Sequence, residues 1–241
     1  FQKQNATNIQ AICKNNYYQP LVVVSTAIPS NNPELEAAQK ANLKICHRSD
    51  ILASLIQKQA SIAVAGSHGK TTTCTFITTL LAKSNQDPTA VVGGVIPYYN
   101  SNSHSGAGKF LVAEADESDG SLIKFQAQLG LITNLELDHT DHYRDLKDLN
   151  KTMQVFTRNC KHVLANHDCP NLRKNIKAAT WWSIKTTKGV DFAAIPIRMN
   201  GNQTIADIYE RGERIGQISL RIPGLHNLSN AIAAIASCRL A

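Results

Sequence analysis

Aromatic residues are scarce in this 241-residue chain, at 6% with two tryptophans, and no apolar run reaches the length of about 20 residues that a helix needs to cross a bilayer. Burial must therefore come from aliphatic side chains, which the 43% apolar content supplies for one large or two modest domains. The six cysteines (Cys13, Cys46, Cys74, Cys160, Cys169 and Cys238) include no C-x-x-C pair, and the opening residues show no signal-peptide pattern. Reduced thiols and a cytoplasmic location are expected. Internal repeats and low-complexity segments are also missing. The formal net charge of +7 raises the possibility of a nucleic-acid partner. Only Asn171-Leu172-Arg173-Lys174-Asn175-Ile176-Lys177 gathers the charge, however, and no aromatic residue interleaves with it. A solvated helix face is expected there. Without a basic and aromatic stripe, a nucleic-acid-dependent ATPase is disfavoured.

What is present is a strand-loop-helix pattern around Ala65-Gly66-Ser67-His68-Gly69-Lys70-Thr71-Thr72. The apolar stretch Ser61-Ile62-Ala63-Val64-Ala65 precedes it, and Phe76, Ile77, Leu80 and Leu81 recur at helical spacing after it. Small glycines let backbone N–H groups approach phosphate oxygens, Lys70 can neutralise the outer phosphates, and the Thr71 hydroxyl is placed to hold magnesium. The helix start adds roughly half a positive charge. Val64 stands where the usual pattern has its first glycine, so Gly66 must supply the early turn. The alternative is an ordinary turn before a threonine-rich helix.

Two further polar clusters follow buried strands. After Phe110-Leu111-Val112-Ala113 comes Glu114-Ala115-Asp116-Glu117-Ser118-Asp119, whose crowded carboxylates call for a cation. Ligands of parallel α/β sheets collect at the carboxyl ends of strands, so this cluster and the loop should face one crevice, with magnesium bridging ATP phosphates. A solvated acidic loop is the competing reading. After Leu131-Ile132 comes Thr133-Asn134-Leu135-Glu136-Leu137-Asp138-His139-Thr140-Asp141-His142-Tyr143. His139 and His142 lack a third soft ligand at a zinc-like spacing, and a hydrogen-bonding histidine and a magnesium or phosphate role stay open. Near the end, Asn227 in Pro223-Gly224-Leu225-His226-Asn227-Leu228-Ser229-Asn230 is either a helix cap or an amide that reads a purine edge. Gly106-Ala107-Gly108 precedes a strand and reads as a turn.

The organisation is α/β. Residues 1–58 carry strands at Leu21-Val22-Val23-Val24-Ser25 and Leu43-Lys44-Ile45-Cys46, a proline-started helix after Asn32, and a helix capped by Ser49-Asp50. They read as the end of an α/β layer. Residues 59–241 add strands at Ala90-Val91-Val92, Phe110-Leu111-Val112-Ala113, Leu131-Ile132-Thr133-Asn134 and Val163-Leu164-Ala165, which predicts a mostly parallel sheet with flanking helices. Alternation over residues 203–222, with a turn at Arg211-Gly212-Glu213, predicts an antiparallel hairpin. The chain opens without methionine and stops within an alanine-rich helical pattern, so a longer parent is expected.

Taken in order, the loop at 66–72, the acidic run at 114–120, residues 134–143 and residues 224–230 resemble the ordered motifs of the Mur ligase family, which joins amino acids to peptidoglycan precursors. The similarity runs through nearly the whole chain. Glu114-Ala115-Asp116-Glu117-Ser118-Asp119-Gly120, Asp138-His139-Thr140-Asp141-His142-Tyr143 and Val24-Ser25-Thr26-Ala27-Ile28 with Asn32-Pro33-Glu34 are most similar to its alanine-adding branch. The murein-recycling sibling usually carries tyrosine where Ser118 stands.

The resemblance implies a P-loop ATPase domain at 59–241, preceded at 1–58 by the end of a Rossmann-like UDP-sugar domain. A glycine-rich diphosphate loop and a third domain are expected beyond this stretch, which alone is expected to be inactive. It implies ATP-dependent joining of L-alanine to the carboxylate of UDP-N-acetylmuramate through an acyl phosphate. In that scheme Gly66, Ser67, His68, Gly69, Lys70, Thr71 and Thr72 cradle ATP, with Asn227 and Asn230 by the adenine. Thr71 and Glu114 hold one Mg2+ and His139 helps hold a second, which makes Lys70, Glu114 and His139 the catalytic set. Ser25 and Ala27 approach the UDP-sugar, and Asp116, Glu117 and Ser118 its lactyl carboxylate. Some siblings add a carbamylated lysine, for which Lys147 and Lys151 are the nearby candidates. The alternatives are the murein-peptide recycling ligase and a stand-alone ATP-binding regulatory module.

Overall fold

The computed structural model describes residues 4–14, 20–138 and 140–241, which form two compact units, 1–54 and 55–241. In the first unit, helix α1 (Ala6–Cys13) is capped by Asn5 and helix α2 (Pro33–Lys40) by Asn32, with proline in its first turn. Strands β1 (Leu21–Val24) and β2 (Lys44–His47) pair in parallel. Helix α3 (Arg48–Lys58) starts one residue before the expected Ser49-Asp50 cap. The reason is local: the Asp50 carboxylate reaches back from the first turn to accept the His47 N–H at 2.9 Å.

The second unit is built on a ten-stranded sheet in the order β12-β11-β10-β9-β8-β7-β3-β6-β4-β5. Its members are β3 (Ala60–Ala65), β4 (Thr89–Ile96), β5 (Ser101–His104), β6 (Phe110–Glu114), β7 (Leu129–Ile132), β8 (His162–Asn166), β9 (Thr180–Ser183), β10 (Phe192–Asn200), β11 (Gln203–Glu210) and β12 (Glu213–Leu220). Pairing is parallel from β10 across to β4, as the alternation of strands and helices predicts. It is antiparallel at β5 and through the β10-β11-β12 meander. The expected hairpin is β11-β12. Strand β10 escaped the sequence reading because Pro196 breaks its pattern, and the register shifts there.

Helices α4 (Lys70–Lys83) and α7 (Leu225–Leu240) pack against each other over one sheet face. Ile62, Val64, Val112, Leu131, Leu164 and Trp182 of the sheet join Cys74, Ile77 and Leu81 of α4 and Leu228 and Ile232 of α7 in one buried cluster. Each such side chain contributes roughly 1.5–3 kcal/mol when fully buried. The buried stripe of α4 also takes in Thr73 and Thr78, while Leu80, expected inside, is 38% exposed. Alternation turns Gly130 toward the opposite face, where a Cβ would lie 2.5 Å from Cys160 Sγ and 3.4 Å from the Phe156 ring. Phe156 belongs to α5 (Leu146–Asn159), whose buried stripe is Leu149, Met153 and Phe156.

Register places the ends of three central strands side by side. Val64 is opposite Glu114, and Ala65 is opposite Ile132. Residues 66–72, 114–119 and 133–138 therefore leave the sheet together, at its carboxyl edge.

Candidate active site

The loop is shaped by two glycines in conformations that other residues avoid, Gly66 at φ +126° and Gly69 at φ +84°. A Cβ on Gly66 would lie 2.2 Å from Thr133 Oγ1, and one on Gly69 would lie 2.6 Å from Asn230 Oδ1. Gly69 stands at the N-cap of α4 without a capping side chain, which leaves the first-turn N–H groups directed outward.

The segment after β7 clamps this loop. Thr133 Oγ1 donates to His68 O at 2.6 Å. The Asn134 amide spans the same residue, accepting the His68 N–H at 2.9 Å and donating to His68 O at 2.9 Å. Ser67 Oγ donates to Glu136 O at 2.7 Å and accepts the Glu136 N–H at 2.9 Å. Asn166, at the end of β8, supports the clamp by donating to Thr133 O at 3.0 Å. The loop is thus held by polar bonds from its neighbour strand.

Thr71 and Glu114 meet as expected. Thr71 Oγ1 lies 3.1 and 3.0 Å from the two Glu114 oxygens. The Thr71 hydroxyl donates to this carboxylate, and the spacing is also that of neighbouring oxygens on an octahedral magnesium ion, about 3.0 Å apart when each is at about 2.1 Å. Strand β4 holds the carboxylate from the side: Gly93 N–H donates to Glu114 Oε2 at 2.8 Å, and a Cβ on Gly94 would come 2.9 Å from the Thr71 methyl. The sequence reading missed this pair. Two adjacent glycines inside a strand were the available signal of a close approach.

Lys70 and Glu117 form an ion pair of 2.9 Å, with side chains 11% and 0% exposed. Burial pushes the Glu117 carboxyl above its ordinary range, with Lys70 opposing. Tyr143 OH donates to Glu117 O at 2.7 Å, and its own hydroxyl is pushed up to about 12, chiefly by burial. Glu117, expected at a substrate carboxylate, instead turns inward to Lys70. Asp116 and Ser118 beside it are partly exposed, and Ser118 donates to Asp116 Oδ2 at 2.7 Å.

His139 lies outside the described residues. His142 packs over Gly120, where a Cβ would meet its Nε2 at 2.8 Å, and stands edge-on to Tyr143. Among the described residues no group of three or more His, Cys, Asp or Glu could hold a metal alone. A cation at Thr71 and Glu114 therefore needs phosphate or water oxygens to complete its shell. Lys147 and Lys151 are exposed, and Lys151 pairs with Asp148 at 3.3 Å.

Asn230 abuts the loop at Gly69, and both it and Asn227 are 8% exposed. The cap of α7 is Gly224, at φ +107°, not Asn227. Asn227 sits within the first turn and donates to Pro223 O at 2.8 Å, because only glycine accommodates the turn out of Pro223. Trp182 Nε1 donates to Ser229 Oγ at 3.1 Å and fixes that helix start. Thr72 is partly buried behind Thr71, and His68 is exposed at the loop's crest, 3.6 Å from Glu136. Ser25 and Ala27 belong to the first unit, where Ser25 O accepts the Ile28 N–H in a turn after β1.

Residues 64–238 match the Mur ligase middle domain, and residues 1–60 match the Mur ligase family catalytic domain. The chain is 68% identical over 241 residues to a UDP-N-acetylmuramate--L-alanine ligase of Prochlorococcus marinus (strain MIT 9303), covering 100% of this chain and 49% of that protein. It is 59% identical over 240 residues to the protein of the same name from Synechococcus sp. (strain CC9311), covering 100% and 50%. It thus spans about half the length of these curated relatives. Among solved structures, the UDP-N-acetylmuramate-alanine ligase MurC of Thermotoga maritima superposes with a TM-score of 0.80 at 24% identity, over 97% of this chain and 56% of that one. The UDP-N-acetylmuramate:L-alanyl-gamma-D-glutamyl-meso-diaminopimelate ligase (MPL) of Neisseria meningitides gives 0.84 at 21% identity, over 99% of this chain and 78% of that one. These two likenesses establish the fold.

Proposed function

This chain belongs to the Mur ligase family, and from that premise we propose that it carries the phosphoryl-donor half of an ATP-dependent ligase that joins L-alanine to the lactyl carboxylate of UDP-N-acetylmuramate. The observation that carries the reading is the convergence of Lys70, Thr71 and Glu114 at adjacent strand ends. The 68% identity with relatives named for that reaction supports the choice of substrates. We place the junction between the UDP-sugar unit and the ATP unit near residue 58.

A carboxylate does not react with an amine at neutral pH, so its oxygen must first be converted to a leaving group. Transfer of the terminal phosphoryl of ATP to the carboxylate gives an acyl phosphate. The amine of alanine then attacks that carbonyl, and inorganic phosphate departs. The transfer brings two anions together, so charge neutralisation and alignment dominate the catalysis.

The uncapped start of α4 at Gly69 would meet the phosphates, the Ser67 and His68 N–H groups being held by Asn134, and the Lys70 ammonium would neutralise the outer ones. Thr71 and Glu114 would hold a magnesium ion, which when bound supplies further neutralisation of phosphate oxygens. His139 is proposed for a second ion, Asn227 and Asn230 for the adenine side, Asp116 and Ser118 for the approaching carboxylate, and Ser25 and Ala27 for the UDP-sugar. Alignment of carboxylate and amine can be worth an effective molarity of about 10⁵ to 10⁸ M. Replacement of Lys70 by alanine tests the donor half: ATP affinity should fall at least tenfold, and unchanged binding would refute the phosphate loop.

A further inference from the structure

The Lys70 ammonium has three N–H donors, and it makes two close contacts with protein acceptors and one at the outer limit. Gly66 O lies at 2.8 Å, Ser67 O at the outer limit of 3.5 Å, and Glu117 Oε1 at 2.9 Å. A phosphate oxygen that takes up Lys70 therefore competes with the two close contacts, to Gly66 O and Glu117 Oε1. The two carbonyls belong to the loop that would wrap the phosphates. Glu117 comes from the acidic segment after β6 and carries the competing negative charge.

Its backbone is anchored from behind. The Glu117 carbonyl accepts from Tyr143 OH at 2.7 Å and from the Gly120 N–H at 2.9 Å. The backbone behind the carboxylate is therefore held, whereas Lys70 reaches it on a longer, more flexible side chain. We propose that Glu117 is a positioning residue that occupies Lys70 in the phosphate-free loop, so that a nucleotide's outer phosphates bind by drawing Lys70 off this carboxylate. The proposal rests on residues 66–72 being an ATP phosphate site, and it deepens that reading by naming what sets the site's affinity.

The sign of the effect separates this role from simple scaffolding. If Glu117 competes with phosphate for Lys70, removing its charge frees the ammonium and removes an anion near the phosphates, and both changes tighten ATP binding. If Glu117 only supports the loop, removing the charge loosens the loop and weakens binding. Burial pushes the Glu117 carboxyl up and Lys70 pulls it down, so the lysine is the group that favours its charged form.

The test titrates this chain with ATP and with AMP, both in magnesium, for wild type, Glu117→Gln, Lys70→Ala and the double variant. AMP lacks the outer phosphates and serves as the control. Glu117→Gln should bind ATP roughly three- to tenfold more tightly, the gain expected when an opposing charge-assisted hydrogen bond is lost. AMP affinity should stay unchanged, and the gain should vanish in the Lys70→Ala background. Equal or weaker ATP binding by folded Glu117→Gln, with Lys70→Ala still impaired, overturns the inference and leaves the phosphate site standing. ATP affinity indifferent to Lys70→Ala overturns both. Should Glu117→Gln fail to fold, Tyr143→Phe unties the Glu117 backbone and should tighten ATP binding by a smaller factor; weaker binding there contradicts the proposal.

Discussion

Thr71 Oγ1 stands 3.0 and 3.1 Å from the two carboxylate oxygens of Glu114, across 43 residues of sequence. Two neighbouring parallel strands create this pairing, since β3 delivers the loop and β6 ends on Glu114. If the oxygen pair is a magnesium seat, Thr71→Ala and Glu114→Gln should each make ATP affinity insensitive to magnesium. Titrating ATP with and without the ion should show at least a tenfold response in wild type and little in either variant.

Loss of the Lys70 ammonium should also cost stability. Glu117 is fully buried, and removing one partner of a buried ion pair costs about 3–5 kcal/mol. Lys70→Ala should lower the melting temperature by several degrees, at about 2–4 °C per kcal/mol for a chain of this size. The double variant Lys70→Ala/Glu117→Gln should recover much of that loss, because the two changes are coupled.

The same carboxyl gives a pH signature. Its folded-state pKa is raised above the ordinary value of 4.5, so the folded state binds the proton more tightly than the unfolded state does. Glu117's contribution to stability is then fully present below the unfolded value and is lost as pH rises through the raised folded value. The melting temperature of wild type minus that of Glu117→Gln should accordingly decrease as pH rises above 4.5. A constant difference across that window would contradict the assignment.

The clamp on the loop predicts an effect at a distance from any phosphate. Asn134→Ala removes both amide bonds to His68. Hydrogen exchange at the His68 N–H should accelerate, and ATP affinity should fall severalfold although both lost bonds are to the loop backbone. Gly69→Ala should do more harm, since it forces a φ of +84° on a residue with a Cβ and drives that atom toward Asn230.

The sequence was most legible where backbone geometry and chemistry coincide. Gly66, Gly69, Lys70 and Thr71 read as a phosphate loop because each residue type answers a separate physical need, and the strand-helix alternation put Glu114 at the same sheet edge, where register places it. Less legible were features that depend on what faces a residue across the sheet. Nothing in the sequence around Glu117 says that its carboxylate turns inward to Lys70, because it sits among three other acidic residues that read alike. Gly93 and Gly94 look like weak strand residues until β4 is known to pass beside Glu114. Strand β5 is polar along its whole length, Ser101–His104, and carries no apolar alternation to betray it. Asn227 failed as a predicted cap because Gly224 already supplies the turn, a competition that composition alone cannot rank.

The most direct test of the account is phosphate release by a polypeptide that contains this chain and spans the full length of its relatives. Release should require ATP, magnesium, UDP-N-acetylmuramate and L-alanine together, and should disappear with Lys70→Ala. Release that proceeds without the UDP-sugar, or equally well with L-glutamate or a tripeptide in place of L-alanine, would contradict it.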